Sequence, residues 1–439
     1  MHQRMIMTNI AENPAPDEIK RHLDYLCRKI GSRFTGAQGS YKAIRYIAAQ
    51  FRKYGLGVRV EEFDALAWNC RFVRLKTPKG PIECLPVSYT ASTQKGGIEG
   101  ELAVIEGEED LDFKMSKLNG KIGLYFGDCD FGNHPEGYKR LMHSGLKGLI
   151  MLWHSFVTPW PIAIGLAPSW IKHGRLPMVS ISYEDACNLV VGKVPKVALE
   201  IKSSIQKVKS ANVIGEIPGG DMADETIIIS GHHDTVPDCP GAFDNASGTT
   251  AVLELARMFR HSRPRRNLKF VVFGGEEQLS LGALQYIHAH AKELKKVMFV
   301  LNTDDVGAVL GKNRIFISGT PELKNWIQST CVNRGYAVEA IGRANPYGDQ
   351  FPFNISGVPS AWFYRPACTA GQPRYHSRED TADKISIPAM TEMLKAESSL
   401  LARLSTGRAL PFKRTIPVQQ QKEIRKHARN LYGLAWKMR

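Results

Sequence analysis

No stretch of this 439-residue chain is both long and apolar. Its apolar runs, such as Val271–Phe273 and Leu149–Trp153, fall far short of the roughly 18 residues a membrane-crossing helix needs, so no membrane span is expected. Met1–Asp24 alternates polar and charged residues with no apolar signal core, and a cytoplasmic location is expected on that ground. Paired cysteines are missing as well. Cys27, Cys70, Cys84, Cys129, Cys187, Cys239, Cys331 and Cys368 are scattered, with no C-x-x-C spacing. That pattern excludes a cysteine-ligated zinc site and favours free thiols over a disulfide framework. Glycine (39) and proline (24) are too sparse for a collagen-like or disordered chain. Acidic residues number 43 against 58 Lys and Arg, a net charge of +15. Much of that excess lies between Pro411 and Arg439, where eight basic residues face Glu423 alone. A basic tail of this kind gives no reason to expect nucleic-acid binding by the body of the protein.

What is present is an ordinary globular composition, 43% hydrophobic and 23% charged, at a length that predicts two to three domains. Helical spacing begins at Asp17 with Leu23, Leu26 and Ile30, and resumes from Tyr41 through Ile44, Ile47, Phe51 and Tyr54 before Gly55. Val58, Val60 and Phe63 alternate with charges, as a half-buried strand does. From about residue 66 to 205 the texture changes to short strands and turns, among them Leu149–Trp153 and Leu176–Ile181, with no acidic or histidine cluster. This stretch is read as a β-rich module inserted into another fold. From Asn212 strands and helices alternate. Strands end at Ser230, Phe273 and Asn302, helices cover Ser247–Phe259 and Gly282–Lys292, and Thr320 is placed to cap the helix from Pro321 to Asn333. Such alternation predicts an α/β fold with a mostly parallel central sheet and helices on both faces. The resulting division is 1–65 and 206–407 for the main domain, 66–205 for the insert and 408–439 for the basic tail.

In open α/β sheets ligands bind beyond the carboxyl ends of the strands, and the chemistry-bearing residues fall there. Ile227–Ser230 is followed by Gly231-His232-His233-Asp234, and then by Gly241-Ala-Phe-Asp244-Asn-Ala-Ser-Gly248. The next strands run into Glu276-Glu277 and Asp304-Asp305, and near the end stands Tyr375-His376-Ser-Arg-Glu-Asp380-Thr381. Singly, each is an ordinary turn, cap or solvated pair; at successive strand ends they point to one metal site. Zinc takes imidazole nitrogen and carboxylate oxygen. Two neighbouring metals need a carboxylate that bridges them, a ligand histidine needs its second nitrogen held, and one carboxylate must stay off the metal to take a proton from water. Adjacent Glu276 and Glu277 point in different directions, which suits the last two requirements.

These motifs resemble the di-zinc exopeptidase family that includes aminopeptidase Y, bacterial leucyl aminopeptidases and glutamate carboxypeptidase, from Gly31-Ser-Arg-Phe-Thr-Gly36 to about Leu404. The insert looks like a protease-associated domain. Residue by residue, the resemblance implies two zinc ions per chain: His232 and Asp304 on one, Glu277 and His376 on the other, and Asp244 bridging both. It further implies Glu276 as general base, Asp234 as the residue orienting His232, Tyr375 as an oxyanion stabiliser, and a cis peptide between Asp244 and Asn245. The expected reaction is hydrolysis of a peptide substrate by a zinc-bridging water.

Within the family, relatives of glutamate carboxypeptidase grip acidic substrates with arginines on a late strand. The matching stretch here places Trp362 and Tyr364 at those positions, with Arg365 out of phase. This favours an aminopeptidase, which would recognise the free α-amine with acidic groups. Two alternatives stand beside it: a carboxypeptidase or amidohydrolase of related fold, and a non-catalytic binding protein on the same scaffold. Cys239 is expected to be an unreactive neighbour of the site. Trp153, Phe156 and Trp160 are candidates either to overhang the site or to fill the insert's core, and Asp349 resembles a common family position without an assigned role.

Overall fold

The computed structural model describes residues 11–126, 135–152, 158–367 and 374–433. The first helices are those read from the spacing: α1 (Pro16–Asp24), continued by a wider turn Tyr25–Ile30, and α2 (Gln38–Lys53). Strand β1 follows, and here the structure departs from the sequence reading. It runs unbroken from Gly57 to Thr77, and its partner β8 runs from Lys196 to Ile217, antiparallel along nearly their whole length. Positions 65/66 and 205/206 therefore lie inside the two longest strands. The local texture did not mark the strand because the alternation of burial is weak from Leu66 to Thr77.

Between the two arms lie β2 (Gly80–Ile82), β3 (Leu85–Pro86), β4 (Ile98–Ile105), α3 (Glu108–Lys114), β5 (Ile122–Tyr125), α4 (Pro135–Met142), β6 (Gly148–Met151), β7 (Met178–Ser180) and α5 (Tyr183–Val191). β4, β5, β6 and β7 pair in parallel, and this half buries its own clusters around Tyr89, Leu149 and Trp170 on one side and Ile122, Ile150 and Leu199 on the other. Trp160, one of the three aromatic residues in question, is half-buried; Trp153 and Phe156 lie outside the described residues.

The other half is the expected α/β sheet. Its strands are β9 (Thr226–His232), β10 (Asn267–Phe273), β11 (Val297–Thr303), β12 (Arg314–Ser318), β13 (Glu339–Ile341) and β14 (Ser360–Tyr364), in the order β13-β12-β14-β11-β9-β10-β8. The pairings β14–β11–β9–β10 are parallel, and antiparallel pairs enter at β12–β14 and β10–β8. Helices α6 (Ser247–Phe259), α7 (Leu281–Ala289), α8 (Pro321–Val332), α9 (Gln350–Ile355), α10 (Ile387–Thr406) and α11 (Val418–Tyr432) cover it. Thr320 caps α8 by accepting from Leu323 N–H. Along β9, Ile227 and Ile229 turn to the face packed by α1, α2, α6 and α10, while Ile228 turns to the face packed by α7 and Phe353. Burial on both faces is why the strand reads as a continuous apolar run rather than an alternation; each such side chain contributes about 1.5–3 kcal/mol. No helix among the described residues is long and apolar enough to cross a membrane. Six cysteines lie among them, all free thiols.

A buried arginine helps to fasten the N-terminal segment to this sheet. Arg33 is fully buried, and its guanidinium donates to the carbonyls of Leu26, Gly31, His233, Pro240 and Gly241, at 2.6–3.3 Å. Its backbone N–H donates to Thr235 Oγ1. These bonds tie the turn after α1 to the loop between β9 and Asp244. Arg33→Met keeps the apolar stem and orphans the buried carbonyls, so it should cost about 3 kcal/mol or more. Urea denaturation checks this, and a midpoint equivalent to wild type within about 0.5 kcal/mol would contradict the role given to Arg33.

Candidate active site

Three of the chemistry-bearing segments sit where a strand stops. His232 is the last residue of β9, Asp304 follows β11, and the Glu276–Glu277 turn follows β10. Asp244 is carried to them by the segment leading into α6, and two glycines permit its path. Gly241 has φ 58°, and a Cβ there would lie 2.2 Å from Thr235 Cγ2; at Gly248 it would lie 2.0 Å from the carbonyl oxygen of Thr303. Asn245 accepts from Gly248 N–H at 2.7 Å and donates to Thr303 O, Ser247 Oγ donates to Phe243 O, and Thr249 Oγ1 donates to His232 O. The Asp-Asn-Ala-Ser-Gly run thus knits the ends of β9 and β11 together. The Asp244–Asn245 peptide is cis.

The geometry brings together two groups of three that share Asp244: His232, Asp244 and Asp304, and Asp244, Glu277 and His376, with the donor atoms of each group within 4.8 Å of one another. His232 Nε2 is 3.2 Å from Asp244 Oδ1 and 3.3 Å from Asp304 Oδ1. His376 Nε2 is 3.1 Å from Asp244 Oδ2 and 3.3 Å from Glu277 Oε2. One oxygen of Asp244 therefore faces each group. Glu277 Oε1 accepts from Val236 N–H at 3.0 Å, leaving Oε2 for the centre. Glu276 turns the other way: its Oε2 is 4.0 Å from His232 Nε2, and its Oε1 accepts from Ser280 Oγ at 3.3 Å.

The remaining residues brace these. Asp234 lies beside His232 Nδ1, its carboxylate at 3.5 Å and its own carbonyl at 3.2 Å. The same carboxylate accepts from the N–H groups of Glu276 and Glu277, at 3.1 and 3.2 Å, so Asp234 joins the His turn to the Glu turn. His376 Nδ1 is 3.1 Å from the carbonyl of Ala163, and Ala163 N–H donates to His376 O at 2.7 Å. Tyr375 stacks on the His376 ring at 3.7 Å. Asp380 accepts from the N–H groups of Phe243 and Asp244. Cys239 is buried, donates to Ser377 O and stands outside both groups of donors.

Several of these residues carried no assignment in the sequence reading. Asp305 and Asp349 are buried carboxylates beside the centre, and neither oxygen of Asp349 has a hydrogen-bond partner in the protein. The Asp-Asp doublet pointed to Asp305. Nothing local pointed to Ala163 or Ser280, which reach the site only through tertiary packing.

Burial lowers the basicity of both imidazoles, but carboxylates outweigh it. Asp304, Asp234 and Asp244 hold His232 well above its ordinary value, and Glu277 with Asp244 raises His376 to about 10. Burial also pushes Glu277 up to about 7, against the pull of His376, and Glu276 well above the carboxylate range, with Asp349, Asp304 and Glu277 adding to it against His232. Asp244 falls below the usual range because the two histidines outweigh its burial. Without metal, then, protons on the histidines balance the carboxylates. Both must leave before Nε2 can bind a metal, so affinity should rise with pH and binding should release protons. Zinc titration of the metal-free chain by calorimetry at pH 7, in two buffers of different ionisation enthalpy, should show release of about one to two protons. Identical apparent enthalpies in the two buffers would argue against His232 and His376 as ligands.

Residues 212–401 match Peptidase family M28. The chain is 28% identical over 379 residues to aminopeptidase YwaD of Bacillus subtilis, covering 83% of this chain and 79% of that one. It is 25% identical over 313 residues to carboxypeptidase Q of Xenopus laevis, covering 67% of this chain and 66% of that one. Among solved structures, a zinc aminopeptidase from Bacillus subtilis aligns with a TM-score of 0.74 at 24% identity over 92% of this chain and all of that one. A peptidase M28 precursor from Shewanella amazonensis aligns at 0.79 and 20% identity, over 91% and 95%.

Proposed function

From the premise that the chain is a zinc metallopeptidase with a Peptidase family M28 segment, we propose that it is a two-zinc aminopeptidase, removing N-terminal residues from peptides. The residues present fit the metal. Asp304 Oδ1 is buried with no hydrogen-bond partner, and the donors are the imidazole and carboxylate set that zinc takes. His232 and Asp304 would hold one ion, Glu277 and His376 the other, and Asp244 both. When bound, zinc supplies a Lewis acid for the scissile carbonyl and acidifies water near neutrality. Glu276 stays off the metals, with Oε1 tied to Ser280 and Oε2 turned toward the centre, and takes the proton of the attacking water before returning it to the leaving amine. Tyr375, stacked on His376 and facing the carboxylates, donates its phenol hydrogen to the developing oxyanion. The half built from β2–β7 is read as the protease-associated insert, and through Ala163 it fixes Nδ1 of His376.

The observation that favours the amine end of the substrate is the sign of the charge. Beside Glu276 lies Asp349, buried, outside both groups of metal donors and with neither oxygen bonded to the protein. This leaves acidic groups beyond those the metals would neutralise, an environment that receives an ammonium and repels a carboxylate. On β14, Trp362 donates to Asp304 O, while Arg365 is turned away and bonded to Ala308 O and Asn313. It is not placed to grip a substrate carboxylate.

Matched peptides with free and acetylated N-termini test the direction. Release from free N-termini alone is expected from the zinc-loaded enzyme, whereas release from the C-termini of blocked peptides would move it to the carboxypeptidase branch. Glu276→Gln should retain zinc and lower turnover by about 10²- to 10⁴-fold; wild-type turnover in that variant would remove Glu276 as the base.

A further inference from the structure

The half of the molecule carried between β1 and β8 meets the catalytic centre at more than one point. Ala163 is the first: its N–H donates to His376 O at 2.7 Å, and its carbonyl lies 3.1 Å from His376 Nδ1. Tyr89 is the second. Its hydroxyl donates to Leu66 O at 2.8 Å and accepts from Gln278 Nε2 at 2.6 Å, while Gln278 Nε2 also donates to Leu66 O at 3.1 Å. Every hydrogen of the amide and the phenol thus has an acceptor, and the cluster closes on itself. Gln278 is buried and directly follows Glu277, so the cluster ties the Glu276–Glu277 turn to β1 and to the chain just after β3.

Packing follows the same lines. Leu85 and Ala163 form a buried apolar cluster with Val236 and Cys239. Val236 N–H holds Glu277 Oε1, and Cys239 bonds to the carbonyl of Ser377, next to His376. Gly165 stands against Glu277, where an added Cβ would lie 3.6 Å from the Glu277 carbonyl oxygen. Ser88 N–H donates to Ile164 O at 3.0 Å, which joins the segments carrying Tyr89 and Ala163. Tyr89 has φ 61° although it is not glycine, and such residues persist where their surroundings over-determine them. These contacts bear on two of the three donors of one metal group, Glu277 and His376. Among the described residues no hydrogen bond from this half reaches His232 or Asp304, which bond instead to Asp234 and Trp362 of the α/β half.

We infer that this half is a selective support of one metal site: through Tyr89–Gln278 and Ala163 it holds Glu277 and His376, and it leaves the His232–Asp304 site to the α/β half. The inference rests on the two-zinc reading and makes Tyr89 a positioning residue for a metal ligand. The test is zinc affinity, by titration of the metal-stripped full-length chain against a chelating dye, with Tyr89→Phe placed in three backgrounds. Tyr89→Phe keeps the ring beside Phe34 and Trp68 and removes only the hydroxyl. In Asp304→Asn the surviving site is that of Glu277 and His376, and Tyr89→Phe should weaken it about 3- to 10-fold. In His376→Asn the surviving site is that of His232 and Asp304, and its affinity should change by less than about 2-fold. In the wild-type background, the step that His376→Asn abolishes should be the one that weakens. Weakening that is equal at the two sites, confined to the His232 site or absent from both overturns the inference. Gln278→Met keeps the length of the side chain, removes the amide, and gives the same readout should Tyr89→Phe lose its thermal transition. A wild-type chain that binds a single zinc rejects the two-zinc reading and the inference with it, whereas two zinc ions with no difference between the sites reject the inference alone.

Discussion

Buried negative charge is the constraint around which this protein is arranged. Asp234, Asp244, Asp304, Asp305 and Asp349 all lie buried at one end of the sheet, with Glu276 and Glu277 beside them and, among the described residues, His232 and His376 as their immediate cations. An ionised carboxylate out of water costs several kcal/mol unless it is paired. Without metal the charge is met by protons, on the histidines and on carboxyl groups that burial raises, Glu276, Asp305 and Asp349 among them; metal cations can take that place. The site is built to receive positive charge, and this one fact links zinc binding to the proton release expected on loading and to the proposed recognition of an ammonium group.

Holding such a site together falls to the backbone. Asp234 joins the His turn to the Glu turn, Asp380 holds the approach to Asp244, and Arg33 clamps the intervening loop through five carbonyls. Burial pushes Asp380 up to about 7, and it gains two backbone N–H donors in return. Left-handed backbone at Asp305 and His376 adds local strain at the centre itself. The long β1–β8 ribbon carries the other half of the molecule, and Ala163 from that half closes on His376. Distant segments thus converge on one centre, each supplying a contact that fixes a donor atom.

Much of this was legible in the chain. The alternation of apolar runs with helical spacing gives the mostly parallel sheet, because strands buried on both faces must be apolar throughout. The chemistry-bearing residues were legible for a related reason: strand ends are where such sheets place ligands, and His232, Glu276–Glu277 and Asp304 each follow an apolar run at once. The cis peptide at Asp244–Asn245 followed from resemblance. The β1–β8 ribbon did not show itself, since burial alternates little along the second half of β1.

The sequence by itself therefore determined the residue types, the sheet and the inventory of donors, because these depend on local periodicity and on which groups zinc accepts. Tertiary structure alone decided the approaches that turn one oxygen of Asp244 to each group of donors, and the bond from Val236 N–H that leaves Oε2 of Glu277 for the centre. It also decided that Ala163 holds His376. The physical reason is that each of these depends on a hydrogen bond or an approach between residues far apart in the chain, set by the packing of whole elements. Spacing along the sequence carries no record of such contacts.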